Sequence, residues 1–474
     1  MYKKYTLVGS WLKNFEKRNN FSVPSCLIGF FISWDLIIKD NIMFKKVLLK
    51  HMYILFGFIA VLLSACNTDN KYSEDNPMHQ LTSWHAAQMD INDTGGLFPP
   101  QKINEFNNQT IRQISRLAIG GESLKVKFSN EYGKEPLILE NVKIAKSLGG
   151  SKIDNSNIHT ILFEGKERVE IPVGGSIFSD EVKFSTSALD TVAISIYLKN
   201  AKLGTMHYTS TTKTFVGSDD QTSEVEIANP IELTSSFFMP QIDVIRPDKV
   251  PVIVAFGDSI TDGAINLDAH NNYVDQLNEK FISSSMKASV INSGLSGNRL
   301  TRDIIGKSGN SRFIRDVLDI SGVSHVIILI GINDIGLGYD FSKSKNDASQ
   351  LVSSDELINS LKQRIKDAKS KNIKVYIATI TPFKNAHYYT DGSPSNIPGG
   401  GLLTPYNGEK IRQEVNTFIR NNTEIDGVID FDKALQDPLD PLQQVQDYHI
   451  GDYLHPNSVG YKAMVNSIDL NIFK

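Results

Sequence analysis

A serine, an imidazole and a carboxylate can together carry out acyl transfer, provided that the fold brings them into one hydrogen-bonded line. Gly257-Asp258-Ser259-Ile260-Thr261-Asp262-Gly263 follows an apolar run at residues 252–256. Ser259 is therefore expected at the start of a helix, whose N-terminus favours negative charge. The segment departs from the G-x-S-x-G elbow, with Thr261 at the fifth position, and is a weak signal by itself. Near the other end, Gly451-Asp452-Tyr453-Leu454-His455-Pro456-Asn457 sets a carboxylate and an imidazole three residues apart on a loop before the last helix. Alone, this spacing reads equally as a surface turn or a helix cap. Acyl transfer also builds negative charge on an oxygen, which fixed donors must meet. Gly297, in Asn292-Ser293-Gly294-Leu295-Ser296-Gly297-Asn298, can bring its N–H close, and Asn333, in Gly331-Ile332-Asn333-Asp334, can offer a side-chain amide. Singly, each is an ordinary turn after a strand.

These segments need elements to hold them. Val252-Ile253-Val254-Ala255-Phe256, Val326-Ile327-Ile328-Leu329-Ile330 and Val375-Tyr376-Ile377-Ala378 are continuous apolar runs, the pattern of parallel strands buried on both faces. Amphipathic stretches separate them, with Leu357, Leu361, Ile365 and Ala368 on one face and Ile411, Val415 and Phe418 on another. Alternating strand and helix predicts an open three-layer α/β/α sheet with its site beyond the carboxyl ends of the strands. Three of the four chemical segments fall at strand ends, and the fourth lies beside the last helix.

The preceding residues, 81–245, have a period of two. Leu124, Val126 and Phe128 alternate with Lys125 and Lys127, and Val192, Ile194, Ile196 and Leu198 alternate with Ala193, Ser195 and Tyr197. One face should be core and the other solvent. Further strand-like pieces at 137–145, 160–164, 169–173 and 182–184, with turns at Gly149-Gly150 and Gly174-Gly175, predict an antiparallel β-sandwich of jelly-roll type. Residues 246–251 read as a linker, and 252–474 as the catalytic domain.

The first 66 residues differ. Lys45, Lys46 and Lys50 precede an apolar run at 52–63 that ends in Leu63-Ser64-Ala65-Cys66, too short to span a bilayer comfortably. This ending resembles the lipobox of bacterial lipoproteins, which implies a signal peptide at 43–66, lipidation of Cys66 and a place at the bacterial cell envelope; an uncleaved anchor is the alternative. Residues 1–42 read as an upstream extension and 67–80 as a polar tether.

Of 474 residues, 41% are hydrophobic and 22% charged, which argues against a disordered, collagen-like or polytopic membrane chain. Two cysteines cannot build a disulfide scaffold or a four-cysteine zinc site. Without residues 1–65, 40 basic and 50 acidic residues remain, a net charge of −10 that disfavours nucleic acid as a partner.

In the order Ser, Gly, Asn, Asp-x-x-His, residues 251–474 closely resemble the SGNH family, also called GDSL-type esterases and lipases. The resemblance implies a flavodoxin-like sheet of about five parallel strands, Ser259 as nucleophile, and Asp452 and His455 as acid and base. It also implies an oxyanion hole of Gly297, Asn333 and the N–H of Ser259, with no metal or organic cofactor. Three further segments, Ser83-Trp84-His85-Ala86-Ala87-Gln88, Asn107-Asn108-Gln109-Thr110-Ile111-Arg112-Gln113 and Phe128-Ser129-Asn130-Glu131-Tyr132-Gly133, resemble a two-domain bacterial subfamily associated with arabinoxylan or acetyl-xylan esterases. The expectation is a serine esterase acting on O-acyl, above all O-acetyl, groups of carbohydrate. The alternatives are a lipid or aryl esterase with the same triad, marked by a preference for long acyl chains, and a non-catalytic glycan-binding lipoprotein. Arg299 could bind substrate or pair with Asp303. Tyr388, Tyr389 and Tyr406 could form a wall for stacking sugar rings, or belong to a plain surface loop.

Overall fold

Val252–Gly257 is buried along its whole length, and so are most residues of Val323–Leu329 and Lys374–Ala378. Such strands are stable only where helices cover both faces. In a computed structural model describing residues 77–209, 211–263, 270–345, 348–393 and 406–474, they lie in a five-stranded parallel sheet. Its spatial order is Ser289–Gly294, Val252–Gly257, Val323–Leu329, Lys374–Ala378, Gly427–Ile429. Numbered along the chain this is 2-1-3-4-5, the flavodoxin-like arrangement, in which ligands bind where the order reverses, beyond strands 1 and 3. Cys66, the expected signal peptide and most of the expected tether lie outside the described residues. So do residues 394–405 of the tyrosine-bearing loop.

Among the flanking helices, Ser354–Ser370 buries Leu357, Leu361, Ile365 and Ala368, the stripe its spacing predicts. Gly408–Asn421 buries a different face: Arg412, Val415, Asn416 and Ile419 lie inside, while Ile411 and Phe418 are half-buried. A charged side chain tolerates that position because Glu409 and Asp432 both pair with its guanidinium.

The antiparallel half contains two main sheets. One has the order His79–His85, Gln241–Arg246, Ser123–Ser129, Ser176–Phe178. The other centres on the pair Glu105–Arg116 and Thr191–Lys202, flanked by Thr214–Ser218 and Asn141–Gly149. Leu124, Val126, Phe128, Ile194, Ile196 and Leu198 are buried, as their alternation predicts. The intervening face of Thr191–Lys202 is partly buried too, because Arg112 Nε donates to Ser195 Oγ (2.8 Å) and its other nitrogens reach the carbonyls of Ser151, Gln221 and Glu224. The predicted strand at 137–145 is two, Leu137–Leu139 and Asn141–Gly149, in different sheets. Residues 182–184 contribute one bridge, Val182 to Leu124.

The two halves share one hydrophobic cluster, and Asn76–Lys474 forms one compact unit. Ser289 Oγ donates to the Thr82 carbonyl (2.6 Å), and Thr82 N–H to that of Ser321 (3.0 Å). In the 246–251 segment, Asp248 accepts from both Arg246 and Lys287.

His85, at this junction, is 5% exposed, with Nδ1 2.9 Å from Ser293 Oγ. Burial lowers its pKa to about 4, so the native ring is neutral. Its contribution to stability is complete above the unfolded value of about 6.5 and is lost as pH falls toward 4, by about 3 kcal/mol in all. Asp258 and Asp275, raised to about 7 by burial, act with the opposite sign over that window. The expected result is therefore a difference: between pH 6.5 and 4, stability to urea should fall by about one proton's slope less in His85→Gln than in the wild type.

Candidate active site

The Ser259 turn is made by its neighbours. Asp258 caps the short helix Ser259–Asp262 by accepting the Ile260 N–H (3.1 Å), and Gly263, at φ +77°, ends it in the left-handed region. Ser259 thus sits at the first helical position beyond the first parallel strand. Its Oγ lies 2.9 Å from His455 Nε2, and His455 Nδ1 lies 2.6 Å from Asp452 Oδ2. The three groups form one line, across 196 residues of sequence. With a carboxylate at Nδ1, the hydrogen bonds assign the N–H to that nitrogen and leave the Nε2 lone pair to accept from Ser259.

Burial works against the charge on Asp452. The hydrogen bond from His455 Nδ1 and those from the N–H groups of His455 (2.9 Å) and Leu454 (3.0 Å) outweigh it, and its pKa is lowered to about 2. The loop is held from within by His449, whose Nδ1 accepts from the N–H groups of Gly451 (3.0 Å) and Tyr453 (3.2 Å). Tyr453 has φ +59°, a strained value for a bulky residue, and its ring packs on His449 with centroids 4.4 Å apart. Only a neutral imidazole can accept at Nδ1, and burial of His449 favours that form.

Gly297 and Asn333 are tied to the same place. Leu295 N–H donates to the Gly257 carbonyl (3.1 Å) and Ser296 N–H to Asp262 Oδ2 (3.0 Å), laying the 294–297 loop along the Ser259 helix. Gly297 has φ +75°, a left-handed conformation that favours glycine, and a Cβ there would also press on the tip of the Ile305 side chain, Cδ1, at 2.4 Å. Asn333, at the start of Ile332–Lys345, spends one amide N–H on the Asn298 carbonyl (3.1 Å). A primary amide has two, so one N–H remains. Asp334 fixes the next stretch, accepting from Leu300 N–H (2.6 Å), Thr301 N–H (2.9 Å) and Thr301 Oγ1 (2.6 Å).

Two sequence expectations are corrected. Arg299 is 1% exposed; it donates to Gln350 Oε1 (2.9 Å) and to the Gln350 carbonyl (2.8 Å), so it braces the scaffold and does not present itself to substrate. Nor does it pair with Asp303, which is engaged by Lys307 and the Ser308 N–H. The tyrosines do not form a stacking wall. Tyr388 is buried against Gly336, Tyr389 packs edge-on to Phe383, and Tyr406 stacks on Tyr339 at 5.6 Å.

Sequence reading missed Arg312, the fully buried cation beneath the site. It donates to the carbonyls of Gly257 (2.7 Å) and Ser293 (2.9 Å), to Asn298 Oδ1 (2.9 Å) and to Asp316 Oδ2 (3.0 Å), and lies over the Phe256 ring. No local motif marks it. Asn298 and Asp334, by contrast, stand beside residues that the motifs single out. Among the described residues there is no cluster of three or more His, Cys, Asp or Glu able to hold a metal.

The arrangement offers a hydroxyl, a base with an oriented tautomer, and amide donors beyond the ends of strands 1, 2 and 3. Residues 255–463 match the model of the GDSL-like lipase/acylhydrolase family. No curated protein matches the chain. Similar solved structures include an acetyl xylan esterase from Geobacillus stearothermophilus, 22% identical, covering 48% of this chain and 98% of its own, with a TM-score of 0.34. A GDSL-like lipase from Bacteroides thetaiotaomicron is 19% identical, covering 47% of this chain and 87% of its own, with a TM-score of 0.31. The parallel-sheet domain of this chain thus belongs, over residues 255–463, to the GDSL-like lipase/acylhydrolase family, also called SGNH, and the protein is a carboxylic ester hydrolase.

Proposed function

We propose that the protein is a serine esterase that removes O-acyl groups, chiefly O-acetyl, from carbohydrate through an acyl-enzyme at Ser259. The observation that carries the mechanism is the unbroken line Ser259 Oγ, His455 Nε2, His455 Nδ1, Asp452 Oδ2. His455 takes the Ser259 proton as Oγ attacks the ester carbonyl, and Asp452 stabilises the imidazolium so formed. The N–H groups of Ser259 and Gly297 and the second amide N–H of Asn333 receive the developing oxyanion. The alcohol leaves with the proton from His455. Water, activated by the same imidazole, then attacks the acyl-enzyme, returning Ser259 its proton and releasing the acid.

Carbohydrate as the acyl carrier is supported by the three N-terminal segments that resemble the two-domain subfamily. They also brace the hydrolase. His85 meets Ser293, and Arg315 donates to the Gln88 carbonyl (2.9 Å) and to Tyr132 Oη (2.6 Å), whereas Gln113 exchanges hydrogen bonds with the backbone of Phe237 inside the antiparallel half.

The test is acetate release from acetylated xylan, alongside hydrolysis of short-chain and long-chain p-nitrophenyl esters. Acetate release that disappears in Ser259→Ala is expected. Activity confined to long acyl chains would overturn the carbohydrate reading in favour of a lipid esterase. Asn333→Ala should lower kcat on p-nitrophenyl acetate by about 10² to 10³ with little change in KM, because the lost donor acts on charge present only in the transition state.

A further inference from the structure

His207 ends the strand Thr205–His207 of the antiparallel half, and Asp262 ends the helix that begins with Ser259. Their side chains, 6% and 3% exposed, meet with Nε2 3.0 Å from Oδ1. The other ring nitrogen, Nδ1, lies 2.7 Å from the Ala87 carbonyl. A neutral imidazole has a single N–H and would turn a lone pair toward one of these oxygens. Only the doubly protonated ring satisfies both. Burial opposes that charge, but the Asp262 carboxylate and the carbonyl outweigh it, raising the pKa of His207. Burial likewise opposes ionisation of Asp262, and His207 with the other donors outweighs it, lowering its pKa.

The second oxygen of Asp262 gathers the oxyanion loop. Oδ2 accepts from Ser296 N–H (3.0 Å), Ser296 Oγ (2.6 Å) and Thr209 Oγ1 (2.8 Å). Ser296 immediately precedes Gly297. A carboxylate on the Ser259 helix thus holds the loop presenting the Gly297 N–H, and two side chains from the antiparallel half, His207 and Thr209, keep that carboxylate ionised and aimed. Gln113 extends the support: it bonds the backbone of Phe237, in the strand that pairs with Thr205–His207.

We propose that the antiparallel domain is a working part of the esterase site, with His207 and Thr209 as positioning residues that act through Asp262 and Ser296 to fix the Gly297 N–H relative to Ser259. This rests on the serine-esterase reading of the site. Misplacing a donor by about 1 Å costs on the order of 10²-fold in rate, which sets the scale of the effect.

The full chain is compared with Thr209→Val, which keeps the branched shape but loses the hydroxyl, with Thr209→Ser, which restores it, and with His207→Gln. Three quantities are read: kcat and KM on p-nitrophenyl acetate, the rate of Ser259 phosphonylation by an alkyl phosphonate, and the thermal midpoint. The expected result is a fall in kcat and phosphonylation by about 10-fold in Thr209→Val and up to about 10² in His207→Gln, with KM unchanged. Thr209→Ser should recover the wild-type kcat. A merely structural role would lower the thermal midpoint and leave kcat of the folded enzyme alone, and that result in Thr209→Val overturns the proposal even if His207→Gln fails to fold. Wild-type enzyme that is not phosphonylated, with turnover surviving in Ser259→Ala, overturns the serine-esterase reading and this proposal together.

Discussion

Ser259→Ala is expected to lower kcat for ester hydrolysis by about 10⁶, with KM and thermal midpoint close to those of the wild type. Oγ is the atom that forms the covalent intermediate, and the alanine methyl offers neither a nucleophile nor a proton to His455. The side chain is small and 8% exposed, and among the described residues its side-chain hydrogen bond runs to His455 alone, so removing it disturbs little packing. The residual rate comes from amide donors that still polarise the carbonyl toward water. Steady-state kinetics on p-nitrophenyl acetate with active-site titration of both proteins measures the effect, and a loss below 10-fold would be incompatible with a covalent role.

Asp452→Asn should cost about 10⁴ in kcat, and the hydrogen bonds around residue 452 say why. Oδ1 accepts two backbone N–H groups, from Leu454 and His455, while Oδ2 accepts from His455 Nδ1. In the asparagine variant the one remaining oxygen is claimed by the two fixed backbone donors. The amide NH₂ then faces Nδ1 and forces that nitrogen to carry the lone pair. Nε2 must hold the proton, so His455 points an N–H at Ser259 and cannot serve as its base. The loop geometry survives and the chemistry does not. Kinetics of the variant, with imidazole N–H signals by NMR to identify the tautomer, tests this; a proton still on Nδ1 would contradict it.

The contrast between what the sequence makes legible and what it hides is physical. The strands at 252–257, 323–329 and 374–378 are readable because both faces are covered and the buried residues of each form a nearly continuous apolar run. Gly427–Ile429 is too short to show a period. The helix Ser354–Ser370 is readable because its buried stripe is hydrocarbon, whereas Gly408–Asn421 buries an arginine whose partners cannot be seen from the helix itself. The same difficulty explains Arg299, whose partner Gln350 lies 51 residues away, and Ser195, hidden by an arginine 83 residues distant. Ser259, Gly297, Asn333, Asp452 and His455 are legible because each stands at a strand end or on a tight loop where few residue types serve. His207 and Asp262, 55 residues apart, have no such signature, since each is an ordinary residue until folding pairs them.

The most direct test of the account is intact and peptide-level mass spectrometry of the enzyme quenched during turnover of p-nitrophenyl acetate. A chain carrying one acetyl group on Ser259, absent from Ser259→Ala and enriched in Asn333→Ala if deacylation slows more than acylation, is the expected result for the first two proteins and an informative one for the third. Turnover with no acetyl on Ser259 and undiminished activity in Ser259→Ala would contradict the covalent mechanism on which the account stands.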